Sequence, residues 1–282
     1  MGWVAVGAEL RFLDSPPIAS LRLSDAGDDW PTARGLHRRP GAAWVSPMCV
    51  RYTLHQSDVA LKAISRALAK TLTAAVAAEP RYNVTLTHRM PVVAAGGGGE
   101  AEVRGMVWGL VPFYERAKTP RRMLPNAKAE TATTLAAFKD GVAHRRCLVP
   151  ANGFYEWRTA GKIKLPHLFT LRDDEPFAFA GIWEPADGDL PETFGVLTTE
   201  PNALVASIHD RMPVLLTEAT MARWLGAAPL AVEEYRALTQ PLPAERMSVR
   251  PVNRFVSNSR NDGPQCLEPP KDAPPELSLG FT

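Results

Sequence analysis

The sequence has few cysteines and no long apolar run. Its 282 residues include three widely separated cysteines, Cys49, Cys147 and Cys266, with no C-x-x-C spacing. This pattern argues against a disulfide framework and a zinc site, and favours a reducing compartment. No stretch approaches the ~18 apolar residues of a membrane span, and the first residues lack the basic segment of a signal peptide. We therefore expect a cytoplasmic protein without membrane contact.

A strong net charge and the common catalytic motifs are also missing. The 32 basic and 30 acidic residues leave a net charge of +2, so any affinity for nucleic acid must come from local patches. The sequence contains no G-x-G-x-x-G, P-loop, H-E-x-x-H or G-x-S-x-G motif. It therefore gives no motif support for a dinucleotide, nucleoside triphosphate, zinc-protease or serine-hydrolase site.

Residues 1–47 differ from the rest of the chain. They contain no lysine but three of the seven tryptophans, with five prolines and five glycines, and no apolar period persists in them. We interpret them as a disordered or non-native extension, with Met48 as the true start; the alternative is a genuine N-terminal extension. The remaining boundaries are a single domain over 48–269 and a flexible, proline-rich tail over 270–282.

The apolar pattern after residue 50 predicts an α+β fold. Strands and helices mix without regular β-α alternation, which favours a mainly antiparallel, barrel-like sheet flanked by helices. The predicted strands cover 82–86, 90–93, 103–111, 146–149, 154–158, 167–171, 177–183 and 194–199. The predicted helices cover 58–78, 130–138, 202–208 and 218–225.

Cys49 stands directly after Met48. If translation starts at Met48 and that methionine is removed, Cys49 carries a free α-amine and a thiol on adjacent carbons. Such a 1,2-aminothiol condenses with an aldehyde, first to a Schiff base and then to a thiazolidine ring. The α-amine has a pKa near ~8, so a useful fraction is neutral at pH 7.

Glu156 lies between two aromatic residues in a predicted strand, Tyr155 and Trp157. Burial of a carboxylate costs free energy and raises its pKa unless it is paired. The residue is therefore either a general acid/base or a strand-edge glutamate that points to solvent.

His209 closes a predicted helix in the run Ser207-Ile208-His209-Asp210-Arg211. It is either a catalytic group or part of a capping arrangement in which Asp210 pairs with Arg211.

Asn126 and Lys128 lie just before the helix predicted over 130–138. An amide and a cation there suit a sugar-phosphate contact. The alternative is an N-cap with Lys128 exposed to solvent.

These segments together resemble the SRAP (SOS response-associated peptidase) domain family, whose members process abasic sites. The resemblance runs from Met48 to about residue 269. It is carried by Met48-Cys49-x-Arg51, Arg81-Tyr82-Asn83, Trp108-Gly109-x-x-Pro112, Asn126-Ala127-x-Ala129-Glu130-Thr131, Gly153-Phe154-Tyr155-Glu156-Trp157, Ile208-His209-Asp210-Arg211-Met212-Pro213 and Asn261-Asp262-Gly263. Val50 departs from the pattern, because the family usually has glycine there.

The resemblance implies a role for each matching residue. Cys49 would form the thiazolidine with the C1′ aldehyde of a ring-opened abasic site. Asn126 would lie near the aminothiol and the deoxyribose. Glu156 would move protons in ring opening and crosslink reversal, and His209 would assist Schiff-base chemistry and β-elimination. The residues that would contact DNA are Arg51, Asn83, Lys128, Trp157 and Thr198.

The resulting hypothesis is a monomeric sensor that crosslinks to abasic sites in single-stranded DNA, associates with the nucleoid when engaged, and needs no metal or nucleotide cofactor. One rival is a cysteine peptidase or self-processing hydrolase that uses Cys49, Glu156 and His209. A second rival is a non-catalytic module that binds single strands.

Overall fold

The computed structural model describes residues 50–70, 72–74, 79–96, 101–118 and 121–271. Residues 1–47, Cys49 and nearly all of the tail from 270 lie outside these ranges. The strands are β1 (Tyr52–Leu54), β2 (Thr73–Ala74), β3 (Arg81–Val84), β4 (Arg89–Ala95), β5 (Ala101–Trp108), β6 (Asn126–Lys128), β7 (Arg146–Ala151), β8 (Gly153–Ala160), β9 (Ile163–Leu171), β10 (Phe177–Glu184), β11 (Thr193–Thr199), β12 (Met212–Pro213), β13 (Leu215–Leu216) and β14 (Met247–Pro251). The α-helices are α1 (Ser57–Leu68), α2 (Ala129–Ala132), α3 (Lys139–His144), α4 (Ala203–Ala206), α5 (Glu218–Leu225) and α6 (Val232–Leu238).

The strands form two sheets. One has five strands in the order β14-β9-β8-β1-β3, and the other has nine, with the path β12-β11-β10-β7-β4-β5-β2 and with β13 and β6 paired to β10 and β11. Most pairs are antiparallel; β11 runs parallel to β5 and β6, and β2 runs parallel to β5. The predicted α+β class and mainly antiparallel pairing are confirmed, but the strands form a ring of two sheets and not one clean barrel.

The main core lies between the two sheets. We call the side of each sheet that points to this core its inner face. Tyr52 of the five-stranded sheet contacts Trp108 of the other sheet edge-to-face, with ring centroids 5.2 Å apart. Phe154 stacks on Phe169 across β8 and β9 at 5.0 Å. Each such buried aromatic side chain contributes about 1.5–3 kcal/mol, so this core fixes how the two sheets face each other.

Helices cover the outer face of the nine-stranded sheet. Ile64 of α1 and Trp224 of α5 are fully buried there, and the Trp224 indole donates to the carbonyl of Cys147 on β7 at 3.0 Å. In the described residues, no helix is both long and apolar enough to cross a membrane.

The structure corrects two predicted helices and confirms a third. The helix predicted over 58–78 ends at Leu68, because Ala69 adopts the left-handed conformation (φ 48°); residues 75–78 are outside the described ranges. The helix predicted over 130–138 is helical only to Ala132, where α2 ends; residues 133–138 form turns, and α3 begins at Lys139. The helix over 218–225 is confirmed, with Thr217 and Thr220 forming a capping box at its start.

Candidate active site

Glu156 is buried on the inner face of the five-stranded sheet. It lies two residues after Phe154 on β8, so both side chains point to the same side, and it is 4% exposed. β8 has a neighbour on each side, β1 and β9. The strand-edge alternative therefore fails, and the carboxyl group is enclosed between the sheets.

The segment just before β1 runs alongside β8, next to this carboxyl group. Tyr52 pairs with Phe154 and Thr53 with Gly153, and the amide of Tyr155 donates to the carbonyl of Arg51 at 3.0 Å. Continued by two residues, this antiparallel register sets Val50 opposite Glu156. Cys49 itself is outside the described residues, but its peptide bond joins it to the neighbour of Glu156.

Three predicted site residues share the inner face of the opposing sheet. β6 runs parallel to β11 and aligns Asn126 with Val196 and Lys128 with Thr198. Val196 packs into the core between the sheets, so residues in alternate positions on these two strands also face inward. Thr198 is fully buried, whereas Lys128 is exposed. An amide, a hydroxyl and an ammonium group thus line the side opposite Glu156.

His209 lies in the segment between α4 and β12. Its Nδ1 is 3.1 Å from the backbone amide of Arg211 and also 3.1 Å from a carboxylate oxygen of Asp210. The two contacts demand opposite roles of Nδ1, because an amide can only donate and a carboxylate can only accept. The amide contact decides the tautomer, since the Asp210 side chain is 87% exposed. The neutral imidazole then carries its proton on Nε2.

Arg211 fixes the His209 segment to the rest of the site. Its guanidinium group donates to both carboxylate oxygens of Glu130 at 2.8 Å and to the carbonyl of Thr198 at 2.7 Å. This hydrogen bonding holds the pKa of Glu130 below its usual value. The pairing of Arg211 with Asp210 that the capping alternative required is wrong, because the partner of Arg211 is 81 residues away in sequence.

Arg51 and Asn83 serve the fold on the other side of β1. Asn83 is fully buried, its Oδ1 accepts from Arg51 at 2.9 Å, and its Nδ2 contacts the carbonyl oxygens of Asn261, Asn258 and Val256 at 2.7, 3.0 and 3.2 Å. Arg51 also donates to the Val256 carbonyl at 2.8 Å, and burial lowers its pKa. Both residues anchor the loop over 256–261; their contacts with DNA stay predictions.

Trp157 is half-buried beside this anchor. The guanidinium carbon of Arg51 lies 5.6 Å from its ring centroid, and its indole donates to Ser257 at 3.1 Å. Its predicted contact with DNA is likewise untested by these distances.

A family match covers all the residues of the candidate site. Residues 48–259 match the model of the family described as SOS response associated peptidase (SRAP). The chain belongs to this family. The match begins at Met48, one residue before Cys49.

Several relatives of this SRAP chain carry names that refer to DNA lesions. It is 32% identical over 193 residues to the abasic site processing protein YoqW of Bacillus subtilis, covering 67% of this chain and 86% of the relative. It is 31% identical over 211 residues to the abasic site processing protein HMCES of Gallus gallus, covering 65% of this chain and 62% of that longer protein. A crystal structure of a protein from Bacteroides thetaiotaomicron superimposes with a TM-score of 0.67 at 28% identity, covering 78% of this chain and 99% of the other.

The other two cysteines of the SRAP domain lie inside the fold. Cys147 and Cys266 are both fully buried, and burial raises the pKa of each thiol. Both side chains therefore favour the unreactive thiol form. Among the described residues, no group of three or more His, Cys, Asp or Glu side chains is arranged to hold a metal ion.

Two features near the candidate site did not follow from the sequence. Arg211 was paired with its neighbour Asp210 only in the capping alternative for His209, whereas its partners lie on α2 and β11. His167 was seen only as the first residue of a predicted strand, yet it is 1% exposed and pairs with Glu156 across β8 and β9. The β8–β9 hairpin register would have revealed this pairing.

Proposed function

We propose that this protein captures abasic sites in single-stranded DNA through Cys49. Translation would start at Met48, and removal of that methionine would make Cys49 the N-terminal residue. The observation that carries the proposal is the register of β1 on β8, which sets the residue bonded to Cys49 opposite the buried Glu156. The names of the relatives support the substrate. The family match from Met48 onward supports the start site.

The proposed reaction joins Cys49 to the open-chain sugar in two steps. The α-amine adds to the C1′ aldehyde, and loss of one water molecule gives an imine. The thiol then adds to the same carbon, its proton passes to the nitrogen, and a five-membered thiazolidine closes. Neither step changes an oxidation state. Holding the aldehyde next to the aminothiol lowers the activation free energy by up to about 7–11 kcal/mol.

Glu156 is the proposed proton donor and acceptor of this reaction. An abasic sugar exists mainly as a closed ring, so the ring oxygen must gain a proton before the aldehyde is free to react. A carboxyl group enclosed between two sheets supplies that proton without competition from bulk water. The same group would return the proton when the crosslink reverses.

His209 and Asn126 act on the sugar in this proposal. In its neutral form the His209 ring donates from Nε2, because its Nδ1 accepts from the Arg211 amide. It would assist imine formation and the β-elimination that cleaves the strand. Asn126, on the inner face opposite Glu156, would hold the deoxyribose through its amide group.

The proposed DNA contacts are an exposed lysine and a buried threonine on the inner face of the nine-stranded sheet. Lys128 is exposed at the end of β6, and its ammonium group would bind a phosphate of the strand. The buried Thr198 hydroxyl has no hydrogen-bond partner among the described residues, so it is free to bind a sugar or phosphate oxygen. We propose that the protein acts as a monomer on unpaired strands in the cytoplasm, at the nucleoid.

Denaturing electrophoresis of the protein with a single strand that carries one abasic site tests the proposal. We expect a heat-stable adduct with the wild type, none with Cys49→Ala, and none with an abasic analogue that lacks the aldehyde. A heat-stable adduct of Cys49→Ala at the wild-type level would refute the thiazolidine.

The family description also motivates a peptidase as the second candidate, since Cys49, Glu156 and His209 suit nucleophilic hydrolysis. Peptide hydrolysis needs the thiol but not a free α-amine. Cleavage of peptides by a chain whose Cys49 amine is blocked, together with failure to capture abasic DNA, would favour this candidate.

A further inference from the structure

Arg211 connects a carboxylate on α2 to the candidate catalytic histidine. Its guanidinium group donates to both carboxylate oxygens of Glu130, each at 2.8 Å. Its backbone amide donates to Nδ1 of His209 at 3.1 Å. Glu130 and His209 are therefore joined through a single residue, although they lie far apart in the sequence.

The chain on either side of Arg211 is attached to the fold by its backbone. The His209 amide donates to the carbonyl of Val205 on α4 at 2.9 Å, and Met212 pairs with β11. The Arg211 side chain adds its two bonds to Glu130 and one to a carbonyl of β11 at 2.7 Å. The direction in which the Arg211 amide points therefore depends on where its side chain is held.

Two groups compete for Nδ1 of His209. The Arg211 amide lies 3.1 Å from this nitrogen, and so does a carboxylate oxygen of Asp210. A bond from the amide needs a lone pair on Nδ1 and leaves the proton of the neutral ring on Nε2, whereas a bond to the carboxylate needs the proton on Nδ1. The position of the Arg211 amide therefore selects the tautomer.

The Glu130–Arg211 pair is suited to fix that position. A bidentate pair sets the orientation of the guanidinium plane as well as its place. The Arg211 side chain is only 11% exposed, whereas that of Glu130 is 44% exposed. The hydrogen bond from Arg211 holds the pKa of Glu130 below its usual value, so the carboxylate is ionised at neutral pH.

We propose that Glu130 is a positioning residue for His209: through Arg211 it keeps the neutral ring in the Nε2–H tautomer, the form that donates to the sugar. This inference rests on the proposed function for the role of His209, whereas the tautomer is a property of the free protein. Without the carboxylate, the Arg211 side chain loses two hydrogen bonds, its amide moves away from Nδ1, and Asp210 accepts a proton from that nitrogen instead.

NMR of the 15N-labelled histidine rings in the full chain reports which nitrogen of the neutral His209 ring carries the proton, with His209→Ala for assignment. Glu130→Ala removes both acceptor oxygens, whereas Glu130→Gln keeps one at nearly the same volume. The matched control is Glu218→Ala, because Glu218 forms a similar ion pair between two helices, with Arg66 at 2.6 Å, and its side chain is 48% exposed.

We expect the Nε2–H form in the wild type and in Glu218→Ala, a shift toward the Nδ1–H form in Glu130→Ala, and a smaller shift in Glu130→Gln. Adding Asp210→Ala to Glu130→Ala removes the competing acceptor, so the Nε2–H form should regain population. A purely structural role of Glu130 predicts the wild-type tautomer in every folded variant, and that result would overturn the inference. Failure of the double variant to recover would do the same.

The rate of strand cleavage by β-elimination, measured on preparations whose N-terminus is defined by intact mass, supplies the second readout. We expect about a fivefold loss in Glu130→Ala, the factor for one hydrogen bond, and no loss in Glu218→Ala. Affinity for an abasic analogue that lacks the aldehyde should stay at the wild-type level in both. A loss of affinity with the tautomer unchanged would overturn the inference, because Glu130 would then act on DNA binding.

The two readouts distinguish the two proposals. The expected tautomer shifts in a protein whose wild type neither captures nor cleaves abasic strands would uphold the role of Glu130 and overturn the proposed function. Wild-type capture and cleavage, with the same tautomer in all Glu130 variants, would leave the proposed function standing and overturn this inference.

Discussion

Replacing Asn83 with alanine should destabilise the protein strongly, because its side chain ties β3 to the loop over 256–261. The Nδ2 group has two hydrogens, and the shortest contacts, to the Asn261 and Asn258 carbonyls, take them. Each buried bond contributes about 1 kcal/mol, and the bond from the Arg51 guanidinium about 1.5–3 kcal/mol. Because groups left without partners add to the loss, we expect the free energy of unfolding to fall by about 3–5 kcal/mol.

Urea unfolding monitored by tryptophan fluorescence measures this loss. The matched control is Asn258→Ala, at an exposed position of the same loop whose side chain, among the residues that the structure describes, accepts only from the Arg260 amide, at 3.1 Å. We expect the control to lose less than about 1 kcal/mol. Hydrogen exchange should also speed up at the Asn261 amide in Asn83→Ala. A loss below about 1 kcal/mol, with exchange unchanged, would refute the anchoring role of Asn83.

Three further perturbations test the site. Glu156→Gln should slow adduct formation and slow reversal more, because an amide cannot exchange protons with the sugar; wild-type rates for both steps in a time course would remove Glu156 from the mechanism. Lys128→Ala should reduce the slope of log affinity for single strands against log salt by about 0.7, the value for one phosphate, with Lys139→Ala as the control; equal slopes would contradict the contact. Glu130→Gln should lower stability at pH 7 by at most about 1 kcal/mol, since its ion pair with Arg211 is partly exposed. Because the pKa of Glu130 is lowered in the folded state, this difference should be present above pH 4.5 and vanish as the pH falls through the folded value; a difference that persists in acid melts would contradict it.

Strand patterns were predictable where one face is buried. The segments around Phe154, Phe177 and Phe194 alternate or run apolar for long enough to identify β8, β10 and β11. β1, β6 and β14 have three to five residues each, too few for a period, and they exist because neighbouring strands supply their hydrogen bonds. Helix α1 ended early for a similar reason, since the chain after Ala69 turns back to pair with β5.

The sequence supplied candidate site residues, but their geometry could not be predicted from it. Motif resemblance identified Glu156 and His209, but only the fold shows that Glu156 is enclosed on a central strand. Sequence proximity suggested a pair between Asp210 and Arg211, whereas the folded chain gives Arg211 to Glu130. The contact of Asn83 with DNA stays a prediction, and only the fold shows that its buried amide also holds the loop over 256–261. Long-range register decides each of these outcomes, and no local pattern encodes it.

Intact-mass analysis of two forms of the protein, after incubation with abasic single-stranded DNA, tests the central claim most directly. One form comprises residues 48–282 with Met48 removed, and the other is the unprocessed chain from Met1, confirmed by mass. The account predicts that the first form gains the mass of the strand minus one water and that the second gains none, because its Cys49 nitrogen is an amide. Equal capture by the unprocessed chain would contradict both the start site and the amine-dependent reaction.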